Sequence, residues 1–225
     1  EYILKAKDVS KIYLPYFSCD ALLTPLKKLN ICYEYYCVDE LLFPLFDYEC
    51  IKHKEYFLYI NYFGLKSDVA QFLQGKVANL IVDNTQAFFS KPLVNVPTFY
   101  STRKFFGVPD GALLCNVSEK IPLTKDKSAE RFAHLLLRHE NESDVGYGEY
   151  LKVEQQLNDT PLMAMSNLTS RLMKSIDFEY HKKSRNENFR YLEKNFGSIN
   201  RFKYLFNEAP LVYPLWVKNG VGIKK

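Results

Sequence analysis

The sequence predicts an α/β domain built on a mainly parallel sheet. Two observations lead there. Short β-prone runs alternate with helical or loop segments through the first half of the chain, and several of those runs are apolar throughout, as a sheet covered on both faces requires. A third observation, a change to long amphipathic segments after about residue 125, predicts a helical second half.

The strands are read at 11–15 (KIYLP), 31–38 (ICYEYYCV), 56–63 (YFLYINYF), 79–83 (NLIVD), 97–102 (PTFYST) and 112–116 (ALLCN). Between them, DALLTPLKKL, LKSDVAQFLQGKV and DNTQAFFS repeat apolar residues at three and four positions, as helix faces do. Further on, SAERFAHLLLRHE, YLKVEQQL and a long stretch from Met163 to Asn195 carry the amphipathic pattern. Ser128 stands as an N-cap, with Arg131 where a capping box prefers Glu. The last residues return to short apolar runs broken by Pro210, Pro214 and Gly220, the expected opening of another α+β unit. Both ends read as cut, EYILKAKDVSK resembling the tail of a helix whose start is absent. The domain division expected is therefore 1–160 for the large domain and 161–225 for a connecting helix and the start of a small domain.

Composition narrows the function. At 225 residues, with 47% hydrophobic and 25% charged residues, the chain is globular and long enough for a full core. A net charge of +4 is spread without a basic block, which argues against nucleic acid as a partner. No apolar run approaches the roughly 20 residues that span a bilayer, so no membrane role is expected. The five cysteines are odd in number and lack CxxC spacing, which favours a reducing, cytoplasmic setting over zinc or a disulfide framework. His53, His134, His139 and His181 have no spacing that makes a metal site or a nucleophile–base pair. Seventeen Tyr and 17 Phe supply a stiff core and flat faces for stacking on a planar ligand.

In open α/β sheets, ligands bind beyond the carboxyl ends of the parallel strands. NLIVD ends there in Asp83, and the run PTFYST leads closely into Lys104, with Ser101 three residues before it. A lysine at an apolar rim has its pKa depressed by desolvation, and the neutral amine forms Schiff bases with aldehydes. Pyridoxal phosphate (PLP) needs such a lysine, an acid to keep its pyridine nitrogen protonated, and donors for its phosphate. Asp83 is placed to be the acid and Ser101 a phosphate donor. If a helix starts at DNTQAFFS, Gln86 points to the same end of the cofactor as Asp83. The plainer alternatives are a solvated Lys104 beside Arg103, and Asp83 as an N-cap with Gln86 in the first turn.

LIVDNTQAFFS and, after it, FYSTRKFFGVPDGALL resemble the aspartate and Schiff-base lysine segments of the DegT-like sugar aminotransferases, fold-type I PLP enzymes. IYLPYFSC, CVDELLF and YFLYINYFGLKSDV are similar to that family's preceding segments in the same order, and YPLWVKN looks like the first strand of its small domain. The resemblance runs from about residue 10 to the end.

What it implies is specific. Lys104 would carry the Schiff base with PLP and act as general base. Asp83 would pair with the pyridinium nitrogen, Gln86 would sit by the ring hydroxyl, Ser101 would touch the phosphate, and Gly111 matches the glycine after the lysine loop. The fold implied is the fold-type I large domain, a mostly parallel mixed sheet with helices on both faces and the start of a small α+β domain. The activity implied is amino transfer from an amino-acid donor such as glutamate to a keto-sugar, nucleotide-linked, in polysaccharide or glycoconjugate synthesis, by a homodimer. Two positions depart from the pattern. Phe99 stands where many members keep a phosphate-binding serine, and Cys19 where a ring-stacking aromatic falls, leaving Tyr16 and Phe17 as substitutes. A non-catalytic aminotransferase-like domain with a binding or regulatory role is the competing reading. A PLP-free domain, in which Asp83 and Lys104 form a structural ion pair, is a third.

Overall fold

The computed structural model describes residues 1–141, 144–206 and 209–217, apart from the side chains of residues 158 and 159. Seven strands form one sheet in the order β3-β2-β1-β4-β5-β6-β7: β1 Lys11–Pro15, β2 Cys32–Val38, β3 Pro44–Leu45, β4 Glu55–Ile60, β5 Leu80–Asp83, β6 Thr98–Ser101 and β7 Ala112–Cys115. The pairs β1–β2, β1–β4, β4–β5 and β5–β6 are parallel, and the two edge strands β3 and β7 run antiparallel to their neighbours. All six expected strands are present, and the short β3 is an addition that no alternation signals.

The centre of the sheet is apolar because both its faces are covered. Ile12, Leu14, Phe57, Tyr59, Ile81 and Val82 are almost completely buried, so period-2 alternation is lost in those strands and the runs are continuous. The helices in this half are α1 Tyr2–Ala6, α2 Leu23–Leu29 and α3 Ser67–Gln74. Asn30 closes α2 in the left-handed conformation (φ 52°), where asparagine serves in place of glycine. Val69, Ala70 and Leu73 give α3 its buried face.

DNTQAFFS is not the helix expected from its periodicity. It forms tight turns closed by Ala87 N–H to Asn84 O (2.9 Å) and Ser90 N–H to Ala87 O (3.0 Å). Asp83 itself explains this: its Oδ1 accepts the Thr85 N–H at 2.7 Å, a local Asx-type turn that competes with helix. The apolar spacing serves instead to seat Phe88 and Phe89 in an aromatic cluster with Phe105, Phe106 and Phe178.

The second half is helical as expected: α4 Ala133–Glu140, α5 Tyr147–Asp159, α6 Asn167–Ser175 and α7 Phe178–Phe196. The single stretch from Met163 to Asn195 is two helices. Asp177 breaks it by capping α7, accepting the Tyr180 N–H at 2.9 Å, while Ser166 caps α6 through Thr169 N–H at 3.0 Å. Ser128 does stand at the N-cap position, ahead of a 3₁₀ turn at Ala129–Phe132 that leads into α4. It makes no cap bond; its hydroxyl lies 2.7 Å from that of Ser166, deep in the structure. Of YPLWVKN, residues 213–217 carry no strand, and the rest lies outside the described residues. Among the described residues no helix is long and apolar enough to cross a membrane.

Candidate functional site

The carboxyl ends of β1, β4, β5 and β6 meet at one rim, and the segments leaving them deliver side chains to it. β5 ends on Asp83, whose backbone pairs in register with Ile60 and Phe99 on the neighbouring strands. Asp83 is 5% exposed. Burial pushes its carboxyl above the usual carboxylate value, against the Thr85 hydroxyl and N–H and the charge of Lys104, which favour the ionised form. This is a buried acid short of a cation.

Lys104 lies in the turn after β6, where Phe105 and Phe106 donate their N–H groups to Thr102 O. Its Nζ donates to Thr85 Oγ1 at 3.0 Å. Thr85 therefore contacts both expected partners, Asp83 through its N–H and Lys104 through its hydroxyl. The desolvated lysine expected of an apolar rim is not what the structure places here, because Lys104 is exposed. Arg103 turns the other way and pairs with Glu154 on α5. The two adjacent cations are thus divided between a structural ion pair and the rim.

Gln86 is reached from a turn rather than a helix. Its Oε1 accepts the Phe63 N–H at 2.9 Å. That bond fixes which way the amide faces, and Nε2 carries no hydrogen bond among the described residues, so it is left as a donor. Phe63 takes a left-handed backbone (φ 60°), uncommon for a bulky residue and concentrated at functional sites. Ser101 ends β6 half-buried, on the same strand face as Phe99 by register. Beyond it, the N–H groups of Arg103 and Lys104 make no hydrogen bond among the described residues.

Of the two aromatics near Cys19, Phe17 packs inward and Tyr16 does not. The Phe17 ring stacks on the buried Tyr62 (centroids 5.5 Å, 16° between planes) and Tyr62 donates to Phe17 O at 2.9 Å. Tyr62 also senses Asp83: burial first, then that carboxylate, pushes its hydroxyl pKa up. Tyr16 instead leans edge-on against Tyr35 and is 73% exposed. Cys19, like Cys32, Cys37 and Cys50, is an exposed free thiol.

Two further groups support the lysine loop. Asp110 accepts from Ser166 N (2.8 Å), Ser166 Oγ (2.7 Å) and Thr169 Oγ1, tying the loop to the start of α6. Gly111 closes that loop at φ +109°, and a Cβ there would lie 2.7 Å from Thr102 Oγ1. The other support is Arg185 on α7, which donates to Phe105 O (3.3 Å) and Leu211 O (3.2 Å) and stacks on the Phe105 ring at 4.5 Å.

The chain matches over 98% of its length the sugar aminotransferase CalS13 from Micromonospora echinospora, with a TM-score of 0.50 at 13% identity. The chain has the fold-type I aminotransferase fold. It spans 65% of CalS13. It is also similar to a Bacillus cereus protein described as a putative PLP-dependent aminotransferase (TM-score 0.48, 11% identity, 96% of this chain and 62% of that one). Tyrosine aminotransferase from Leishmania infantum gives a TM-score of 0.42 at 18% identity, covering 93% and 54%. No family model matches the sequence. No curated protein matches it either. Among the described residues no group of three or more His, Cys, Asp or Glu side chains is placed to hold a metal.

Proposed function

We propose that the chain is the greater part of a PLP-dependent aminotransferase that passes an amino group from an amino-acid donor to a keto-sugar. The observation that carries this is the rim of a fold-type I sheet where a buried carboxylate lacking a cation, Asp83, sits one threonine away from an exposed amine, Lys104. The residues fit PLP. Asp83 would hold the pyridine N–H, a buried acid gaining the positive partner that its site lacks. Gln86 Nε2 would donate to the ring oxygen, and Ser101 with the N–H groups of the lysine turn would hold the phosphate.

When bound, PLP supplies the electron sink that makes a carbon-bound proton removable. Lys104 would anchor it covalently through Nζ and, once released by an incoming amine, would move a proton at that same atom. Phe17 would cover the ring face in place of Cys19. By analogy with the fold, a second subunit completes the site. A nucleotide-linked sugar, a role in polysaccharide or glycoconjugate synthesis, and a cytoplasmic homodimer rest on the sequence resemblance.

The test is an absorbance spectrum with added PLP, with borohydride reduction and peptide mapping as the second step. A Schiff-base band at about 420 nm, with the reduced pyridoxyl group on Lys104 and the band lost in Lys104→Ala, is expected. A label on other lysines, or no band, overturns the proposal. Binding without an amino-group half-reaction on glutamate would favour the non-catalytic relative, the reading that the missing ring-stacking aromatic at Cys19 motivates.

A further inference from the structure

The hairpin of α4 and α5 stands outside both apolar clusters of the fold: among the described residues, neither helix gives them a side chain. Polar contacts join it to the rest. Lys28 Nζ donates to Thr160 O at 3.1 Å, at the end of α5, and Glu154 pairs with Arg103 in the lysine turn. A unit with so little buried apolar contact opens before the rest of the fold does.

Inside this hairpin lies a buried titratable group without a partner. His134, in the first turn of α4, is 4% exposed, and neither Nδ1 nor Nε2 has a hydrogen bond among the described residues. Such atoms are uncommon in a native interior, because each loses its water for nothing in return. The ring meets Tyr150 of α5 edge-on at 5.6 Å, and the Arg138 guanidinium lies over that same Tyr150 ring at 5.2 Å. The helices leave little room beside it: a Cβ on Gly146 would lie 2.6 Å from His134 O and 2.7 Å from Arg138 Cγ.

The charges that face the imidazole come from α4, α5 and the lysine turn. Burial first, then Arg138 on α4 and Arg103 in the turn, oppose a proton on it, while Glu154 on α5 favours one, and its pKa is held below the ordinary 6.5. One turn earlier, Arg131 is already paired with Asp126. Glu154 is therefore contested: it holds Arg103, and it is the acid among these charges that an imidazolium would seek.

We propose that His134 is a proton-operated latch on the lysine turn. Neutral, it leaves Glu154 to Arg103 and keeps the hairpin closed on that turn; protonated, it draws Glu154 from Arg103 and the hairpin opens, releasing the residue next to Lys104. Closure is favoured in full above the ordinary 6.5 and is lost as pH falls through the lowered value, because the open hairpin takes up a proton that the closed one resists. The latch goes beyond the aminotransferase reading and does not depend on it, since it acts in the cofactor-free chain.

Amide hydrogen exchange of that chain, corrected for the intrinsic effect of pH on exchange, tests the latch. Between about pH 7.5 and about pH 5.5, opening of residues 133–140, 147–157 and 102–107 should rise together, by up to about tenfold for one unit below the ordinary value. In His134→Gln, neutral throughout, all three segments keep their protection across the range. In Glu154→Gln, residues 102–107 exchange faster than in the wild type even at the upper end. NMR titration of the wild-type histidines keeps the proposal open to refutation if a variant does not fold: His134 is expected to take up its proton below 6.5, in step with the loss of protection. A pH response of the same size in His134→Gln, a rise confined to the hairpin while 102–107 stays protected, or a His134 that titrates at or above 6.5 overturns the latch. With PLP absent from every sample, each of those failures leaves the Schiff-base reading of Lys104 standing.

Discussion

Asp83 and Lys104 are 21 residues apart in sequence, and one threonine joins them. Thr85 is fixed to Asp83 by its N–H and receives Nζ on its side chain, so the amine is held at the rim by the turn that the aspartate makes. The signal was present in the sequence as Asp-x-Thr, the spacing of an Asx turn, but helical periodicity in the same eight residues masked it. Asp83 also carries a cost. Its folded pKa is raised, so any stability that it adds is present below its ordinary value of 3.8 and is lost as pH rises through the raised one. Above that raised value the ionised group destabilises the cofactor-free protein. Asp83→Asn should therefore raise the melting stability of that form by about 1 kcal/mol in calorimetry near pH 7, with no gain near pH 3, while abolishing the half-reaction. A melting temperature that falls at neutral pH would show the carboxylate to be satisfied.

At the scale of elements, the lysine loop is held by the start of α6 rather than by its own sequence. Asp110 binds that start through Ser166 and Thr169, and Ser128 joins the same cluster through Ser166. Burial opposes the charge on Asp110, but the bonds from Ser166, Thr169 and Ser128 outweigh it and hold its pKa below the ordinary 3.8. The sign is opposite to that of Asp83: this stability is present above the ordinary value and is lost as pH falls through the lowered one. Acid titration monitored by circular dichroism should show the wild type losing helix below about pH 4, whereas Asp110→Asn starts lower by about 2 kcal/mol and changes less over the same range. Equal pH profiles would remove Asp110 from the account. None of this was legible in the sequence, because a serine at 128 before an amphipathic run satisfies the rule for a cap and gives no sign of being buried against residue 166.

Across the whole molecule, α7 ties the rim to the C-terminal segment. Arg185 reaches Phe105 O beside Lys104 and Leu211 O, with its guanidinium over the Phe105 ring. Arg185→Ala should cost about 2 kcal/mol and, unlike a loss spread over the fold, should speed amide hydrogen exchange in residues 102–107 and 209–211 together. Exchange that rises in only one of the two segments would break the link. The sequence by itself determined where the strands fall along the chain, their apolar character and the placing of Asp83 at a strand end and of Ser101 and Lys104 at and just beyond another, because strand periodicity and the chemistry of a strand end are local. Tertiary structure alone decided that Lys104 is exposed, that Arg103 belongs to Glu154, that Gln86 is oriented by the Phe63 N–H, and that Phe17 and Trp216 share a groove. Each of those depends on residues far apart in the chain, and the partner is chosen by how the sheet brings the strand ends together rather than by any neighbour in sequence.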